Sequence, residues 1–328
     1  MDIPLYPLRF EPIFQYRIWG GRQLSDLLTA QLPGNDPIGE AWILSDRDDH
    51  ASMVTNGELK GQTISQLLEH YQAGMMGKLA GRFSRFPLLL KFLDAHEMLS
   101  VQVHPSDRQT DYIPKGEHGK TEAWVVLEAK PESRIYAGLR SGTTAENLRL
   151  SITNGTVTDH LACFTPKTGD AVFIPAGTVH SLGGDIVVFE IQQNSDVTFR
   201  LYDWNHVDAR TDKPRALQVD QALACINFMQ GVKEPVIPVM ETTKHVKRER
   251  IFECEYFHLW RLQGQLPFQI GDMEVPQILI CIAGEGEIEH NRILYQINRG
   301  DVVLIPASVG TCTFWPRSPV NLLEIAIP

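Results

Sequence analysis

No run in the 328 residues approaches the roughly 18 consecutive apolar side chains that carry a helix through a bilayer. The opening MDIPLYPLRF lacks a charged-then-apolar pattern and a cleavage site, so it does not read as a secretory signal. Cysteine is scarce. Five residues, at 163, 225, 254, 281 and 312, are odd in number, widely spaced and without a C-x-x-C pair, which argues against disulfides and thiolate ligands and predicts buried thiols. Positive charge is also in deficit, with 30 Lys and Arg against 40 Asp and Glu, and the net charge of -10 repels nucleic acid and anionic lipid from the average surface. Together these absences predict a cytoplasmic protein with no nucleic-acid or membrane partner, and the assembly expected is a monomer or weak homo-oligomer. An anionic small substrate would need a local basic pocket.

What is present reads as β structure. Short β-branched and aromatic runs punctuated by Gly, Pro and Asp predict strands at 99–103, 123–127, 171–174, 186–191, 278–282 and 302–305. Helical periodicity is confined to islands at 63–79, 144–161 and 216–229. The stretch 230–247, with Pro235 and Pro238 among mixed polar residues, has neither pattern and predicts a domain boundary, giving units 1–235 and 236–328. An internal repeat links the two. Gly169-Asp170-Ala171-Val172-Phe173-Ile174-Pro175-Ala176 recurs as Gly300-Asp301-Val302-Val303-Leu304-Ile305-Pro306-Ala307, and Phe189-Glu190-Ile191 is echoed by Leu323-Glu324-Ile325. A Gly-Asp turn feeding an apolar strand closed by Pro is how a jelly-roll hairpin reads. The predicted fold is mainly β, two jelly-roll units with helical insertions, the second a degenerate copy.

In Leu99-Ser100-Val101-Gln102-Val103-His104 the apolar residues alternate with polar ones, so a strand places Gln102 and His104 on one face. Inward polar groups need partners, since an unsatisfied one costs about 1–3 kcal/mol, and a metal would satisfy both. Glu122 opens the next apolar run, and His180 follows the Ile-Pro-Ala-Gly-Thr-Val turn. Two imidazoles, a carboxylate and an amide oxygen form a nitrogen and oxygen set suited to a catalytic divalent ion with an open position. The second repeat has Thr311 where His180 aligns, and Pro276 falls roughly where Glu122 would. It is expected to lack the ligands. His118, close to Glu122, sits in a loop-like Gly-rich setting and is left out of the set.

The strings Leu99-Ser100-Val101-Gln102-Val103-His104-Pro105, Gly119-Lys120-Thr121-Glu122-Ala123-Trp124 and Pro175-Ala176-Gly177-Thr178-Val179-His180 resemble type I mannose-6-phosphate isomerases of the short bacterial class, as do Trp19-Gly20-Gly21 and Gly39-Glu40-Ala41-Trp42. The resemblance runs from about residue 5 to the C-terminus. It implies a double-stranded β-helix of the cupin superfamily and one zinc ion per chain held by Gln102, His104, Glu122 and His180. It further implies active-site charges at Lys120, Glu190 and Arg200, and interconversion of mannose 6-phosphate and fructose 6-phosphate. After Asp203, Trp204-Asn205-His206 departs from the family pattern.

Aldose–ketose interconversion moves a proton between neighbouring carbons through an enediol, whose developing oxyanions a divalent metal stabilises. Glu190 is the expected base, with a metal-bound water or Lys120 as alternatives. Arg200 suits a clamp on the sugar or its phosphate. Two other readings fit the same ligand set: a cupin dioxygenase, whose iron also takes two His and a carboxylate, and a non-catalytic sugar-phosphate-binding relative.

Overall fold

The computed structural model describes residues 4–28, 30–241 and 245–328, and among these residues two antiparallel jelly rolls account for nearly all strands. In the N-terminal roll a six-stranded sheet runs in the order Ile13–Gly21, Ile38–Leu44, Leu88–Ala95, Ile186–Gln193, Glu122–Ala129, Ala171–Ile174. Its companion has five strands: Phe199–Tyr202, Val101–Val103, His180–Gly183, Arg134–Leu139, Leu161–Phe164.

The C-terminal roll repeats this plan. Its large sheet contains Val246–Glu253, His258–Gly264, Val320–Ala326, Gln277–Ala283 and Val302–Ile305 in that spatial order, and its smaller sheet contains Phe268–Ile270, Cys312–Pro316, Glu285–His290 and Ile293–Asn298. The Ile-Pro-Ala repeat occupies matching strands, with Ile174 opposite Glu122 and Ile305 opposite Gln277. The register therefore puts Gln277, not Pro276, in the place of Glu122. At the edge of the large sheet, Leu8–Arg9 pairs with Val302–Ile305, so the start of the chain completes the C-terminal roll.

Period-two alternation sorts each strand between two cores. On Leu88–Ala95 and Ile186–Gln193, Leu90, Phe92, Phe189 and Ile191 face a cluster shared with Phe257, Leu259, Ile278 and Leu323 of the C-terminal roll. The alternate residues Leu93 and Val188 join Trp124, Ile135 and Leu182 inside the N-terminal roll. Outside the five-stranded sheet, Val101, Val103 and Leu201 are covered by Leu148 and Ala222. These two residues come from the helices Ala145–Asn154 and Val219–Cys225, which fall within the periodic islands.

The helix Ile64–Met76 begins with a capping box, in which Thr63 accepts from the Gln66 amide while the Gln66 side chain accepts from the Thr63 amide. In the predicted boundary stretch, Val239–Glu241 forms a short edge strand, while residues 242–244 lie outside the described residues, as do residues 1–3 of the opening segment. Among the cysteines, 225, 281 and 312 are buried and 254 is half-buried. Cys163 is exposed, against expectation, because the short strand Leu161–Phe164 at the edge of its sheet turns it outward. No helix among the described residues is long and apolar enough to cross a membrane.

Candidate metal centre

Three polar residues from separate strands or strand ends converge inside the N-terminal roll. His104 follows the strand Val101–Val103, Glu122 opens Glu122–Ala129, and His180 opens His180–Gly183, directly opposite Gln102. Their ligand atoms lie within 4.8 Å of one another. His104 Nε2 is 3.3 Å from Glu122 Oε2, and His180 Nε2 is 3.3 Å from Glu122 Oε1. All three side chains are buried.

The hydrogen bonds around the trio fix its chemistry. His104 Nδ1 donates to the Val197 carbonyl at 2.8 Å, and His180 Nδ1 donates to the Thr178 carbonyl at 2.9 Å. Each ring thus carries its proton on the outer nitrogen and turns the Nε2 lone pair to the centre, the arrangement of metal-ligating histidines. Burial, with the positive charge of Lys120, pushes His104 down to about 3, and burial also lowers His180, so both rings are neutral near pH 7. Burial alone would raise Glu122, yet the Lys120 ammonium and the two imidazoles hold it well below the usual carboxylate range. His104 Nε2 and both Glu122 oxygens are buried without a hydrogen-bond partner. A buried, ionised carboxylate facing two unprotonated ring nitrogens is satisfied by a cation, so the residues fit a divalent metal.

Gln102 stands at the edge of this group. Its Oε1 accepts from Ser100 Oγ at 3.1 Å, and its amide nitrogen lies 3.2 Å from His180 Nε2. A half-turn of the amide would place its oxygen beside His180 Nε2, where Gln102 would join the residues that hold a metal.

A cavity of about 480 Å³ opens beside the trio, lined by Gln102, Lys120, Glu190 and Arg200 among others. Lys120 Nζ is 3.1 Å from Glu122 Oε2. Burial opposes the charge on Lys120, but the carboxylates of Glu122, Glu190 and Asp196 raise its pKa, so it is held as an ammonium. Glu190 accepts from Trp124 Nε1 at 2.9 Å and lies 3.4 Å from Lys91 Nζ. Burial, reinforced by the negative charge of Glu122, raises its pKa.

The sequence reading missed several charges in this cavity. Lys91 is 2% exposed, sits over the Trp42 ring, and lies within 4 Å of carboxylate oxygens of Glu40, Glu190 and Asp196. Its signal was available: a single lysine in the apolar run Leu88-Leu89-Leu90-Lys91-Phe92-Leu93, on the same strand face as Leu93. Arg17 grips Glu40 through two hydrogen bonds of 2.9 and 3.0 Å. A larger cavity of about 860 Å³ also touches Arg17 and Asp196, but Gln102, Lys120, Glu190 and Arg200, which border the trio, do not line it.

Two family models match separate stretches of the chain. The family model for the phosphomannose isomerase type I catalytic domain matches residues 8–138, and that for the mannose-6-phosphate isomerase cupin domain matches residues 247–314. The chain is 37% identical over 312 residues to mannose-6-phosphate isomerase ManA of Bacillus subtilis (strain 168), covering 93% of this chain and 94% of that protein. It is 31% identical to mannose-6-phosphate isomerase of Streptococcus mutans serotype c, with 94% and 95% covered. Among solved structures, the mannose 6-phosphate isomerase from Bacillus subtilis superposes with a TM-score of 0.89 at 29% identity, over 98% of this chain and 99% of that one.

Proposed function

The chain belongs to the type I mannose-6-phosphate isomerases, and from that membership we propose how its site interconverts mannose 6-phosphate and fructose 6-phosphate. We assign the metal to one zinc ion per chain, held by His104, Glu122 and His180 with Gln102 completing the set. The observation that carries this is the buried trio with its orphaned Nε2 and carboxylate oxygens. When bound, a redox-inert divalent cation supplies Lewis-acid polarisation of the sugar oxygens, worth several kcal/mol of charge stabilisation.

The remaining work falls to the chain's own residues. Lys120, kept charged by the carboxylates around it, adds a fixed positive charge where oxyanion character develops. Glu190 carries the proton between the two carbons. Its burial beside Glu122 raises its affinity for a proton, which suits a group that must accept one and return it. That role is favoured over Lys120 because an ammonium stabilised by neighbouring carboxylates gives up its proton reluctantly. Ile18, Trp19, Leu93, Leu99 and Trp124 give the same cavity its apolar wall. Arg200 binds the phosphate and so holds the reacting carbons in place.

The units 1–235 and 236–328, a cytoplasmic location and a monomeric or weakly associated state belong to the same proposal. It is tested by stripping the purified protein with a chelator and restoring zinc while following fructose 6-phosphate formation. Loss and recovery of turnover with one zinc bound per chain supports the assignment. Full turnover without metal overturns it, and recovery only with iron, accompanied by oxygen uptake, favours the dioxygenase reading.

A further inference from the structure

Five cationic side chains line the cavity beside the trio: Arg17, Lys91, Lys120, Arg200 and Arg215. Four are paired with carboxylates, Arg17 with Glu40, Lys91 with Glu40 and Glu190, Lys120 with Glu122, and Arg215 with Asp203. Arg200 is the exception. It forms no ion pair among the described residues, and its Nε is buried without a hydrogen-bond partner. Burial and then the positive charge of Arg215 weaken its hold on its proton, against the pull of Asp203 and Asp196, and both guanidiniums line the same cavity. Both oxygens of Asp203 are taken by Arg215, so Arg200 keeps its own donors for an anion from outside.

The backbone explains how Arg215 arrives there. Arg200 pairs with Gln102 across neighbouring strands. The chain later returns along Arg200, whose amide donates to Gln218 Oε1 at 3.1 Å and whose carbonyl accepts from the Gln218 amide at 2.9 Å. Arg215 precedes Gln218 by three residues. In between, the chain turns at Trp204 and Asn205, both at positive φ (53° and 60°), and the His206 amide donates to the Asp203 carbonyl. Trp204 Nε1 anchors the turn on the Leu99 carbonyl at 2.6 Å. This is the segment where the sequence departs from the family pattern. It presents Asp203, which takes Arg215 Nε and Nη2 in a two-pronged grip and leaves Nη1 without a partner among the described residues.

We propose that Arg215 is a specificity-determining residue that clamps the substrate's phosphate together with Arg200, with Asp203 as the group that positions it. The proposal rests on the sugar-phosphate isomerase reading and deepens it. A phosphate near pH 7 carries close to two negative charges and three acceptor oxygens, which two guanidiniums match and one does not. Because Arg200 lies one strand from Gln102, a phosphate held there leaves the other end of the sugar at the metal trio.

The test compares wild type with Arg215→Ala and with Arg215→Gln, which keeps a donor for Asp203 but removes the charge. The readouts are KM and kcat for mannose 6-phosphate, competitive inhibition by inorganic phosphate, and the ratio of kcat/KM for mannose 6-phosphate over mannose. Both variants are expected to raise KM at least tenfold, to weaken phosphate inhibition by a similar factor, and to shrink the selectivity ratio at least tenfold, with kcat falling less than KM rises. Unchanged KM and phosphate inhibition in Arg215→Gln overturn the proposal, as does an equal loss on both sugars, the mark of a structural role. Wild type that fails to isomerise mannose 6-phosphate sinks the underlying reading, whereas active wild type with indifferent variants sinks only the role of Arg215.

Discussion

The two rolls share a plan down to single residues, yet they treat corresponding polar positions in opposite ways. Among the described residues, Glu122 in the N-terminal roll has no backbone donor on either carboxylate oxygen and faces only His104, His180 and the Lys120 ammonium. Its counterpart Gln277 accepts from the Gly271 amide at 3.0 Å and is satisfied by backbone. Thr311, the counterpart of His180 by its spacing from the repeat, is exposed. At the end of the C-terminal roll where these residues lie, the turn after the helix Ile64–Met76 closes on the chain, the Lys78 amide donating to the Glu274 carbonyl at 2.8 Å. One carboxylate survives in both copies: Glu190 and Glu324 are each buried. In the C-terminal roll Arg248 holds Glu324 at 2.9 Å and lies over the Trp260 ring, much as Lys91 serves Glu190 and Trp42. A buried carboxylate beside a cation and an indole is thus common to both rolls, and Glu190 lines the cavity beside the trio. The two imidazoles gathered on the Glu122 carboxylate set the N-terminal roll apart.

The sharpest way to break this comparison is to remove matching residues from each roll. His180→Ala should lower kcat/KM for mannose 6-phosphate by at least about a thousandfold, because both the cation and its charge stabilisation go. Thr311→Ala should stay within about twofold. Comparable losses in the two variants would mean that the second roll takes part in the chemistry.

The next largest effect is on stability. Phe314, fully buried in the C-terminal roll, should cost about 3–5 kcal/mol when cut to Ala, read by urea unfolding. Activity per folded molecule should remain within about threefold. Loss of activity without loss of stability would show that the second roll shapes the site.

A smaller effect is expected at the junction. Gly77 sits at φ +56°, and a Cβ there would lie 2.1 Å from the Glu274 carbonyl oxygen, so Gly77→Ala should cost about 1–3 kcal/mol as the turn pulls away. An unchanged unfolding midpoint would remove this contact from the joint between the rolls.

The mildest test is pH. His104 holds its proton only below about 3, while the unfolded chain's imidazole takes one near 6.5. Between these values the unfolded state binds more protons, so the stability of metal-free protein should fall as pH drops below 6.5, by at most about 1.4 kcal/mol per pH unit from this group. His104→Gln should flatten that slope, and a slope unaltered by the substitution would place the acid sensitivity elsewhere.

Much of this contrast is legible in the sequence, for identifiable reasons. The strands 171–174 and 302–305 are recovered to the residue because a Gly-Asp turn and a Pro bracket each one. His104, Glu122 and His180 stand out because each interrupts or borders an apolar alternation. Gln277 escapes because aligning it requires the pairing of Gln277–Ala283 with Val302–Ile305, which spacing alone misses by one residue. Arg17 and Arg215 escape because their roles come from partners distant in sequence or across a loop, Glu40 and Asp203, that only folding brings within reach. Leu8–Arg9 is too short to carry a pattern, and its pairing with the far end of the chain is set by tertiary packing.

The most direct measurement is the metal content of purified wild type beside the double variant His104→Ala/His180→Ala, determined by elemental analysis on folded protein. One zinc per chain in the former and none in the latter is the predicted result. A double variant that keeps its zinc, or wild type that binds a second ion through the C-terminal roll, would contradict the claim that a single unsatisfied trio holds the cation.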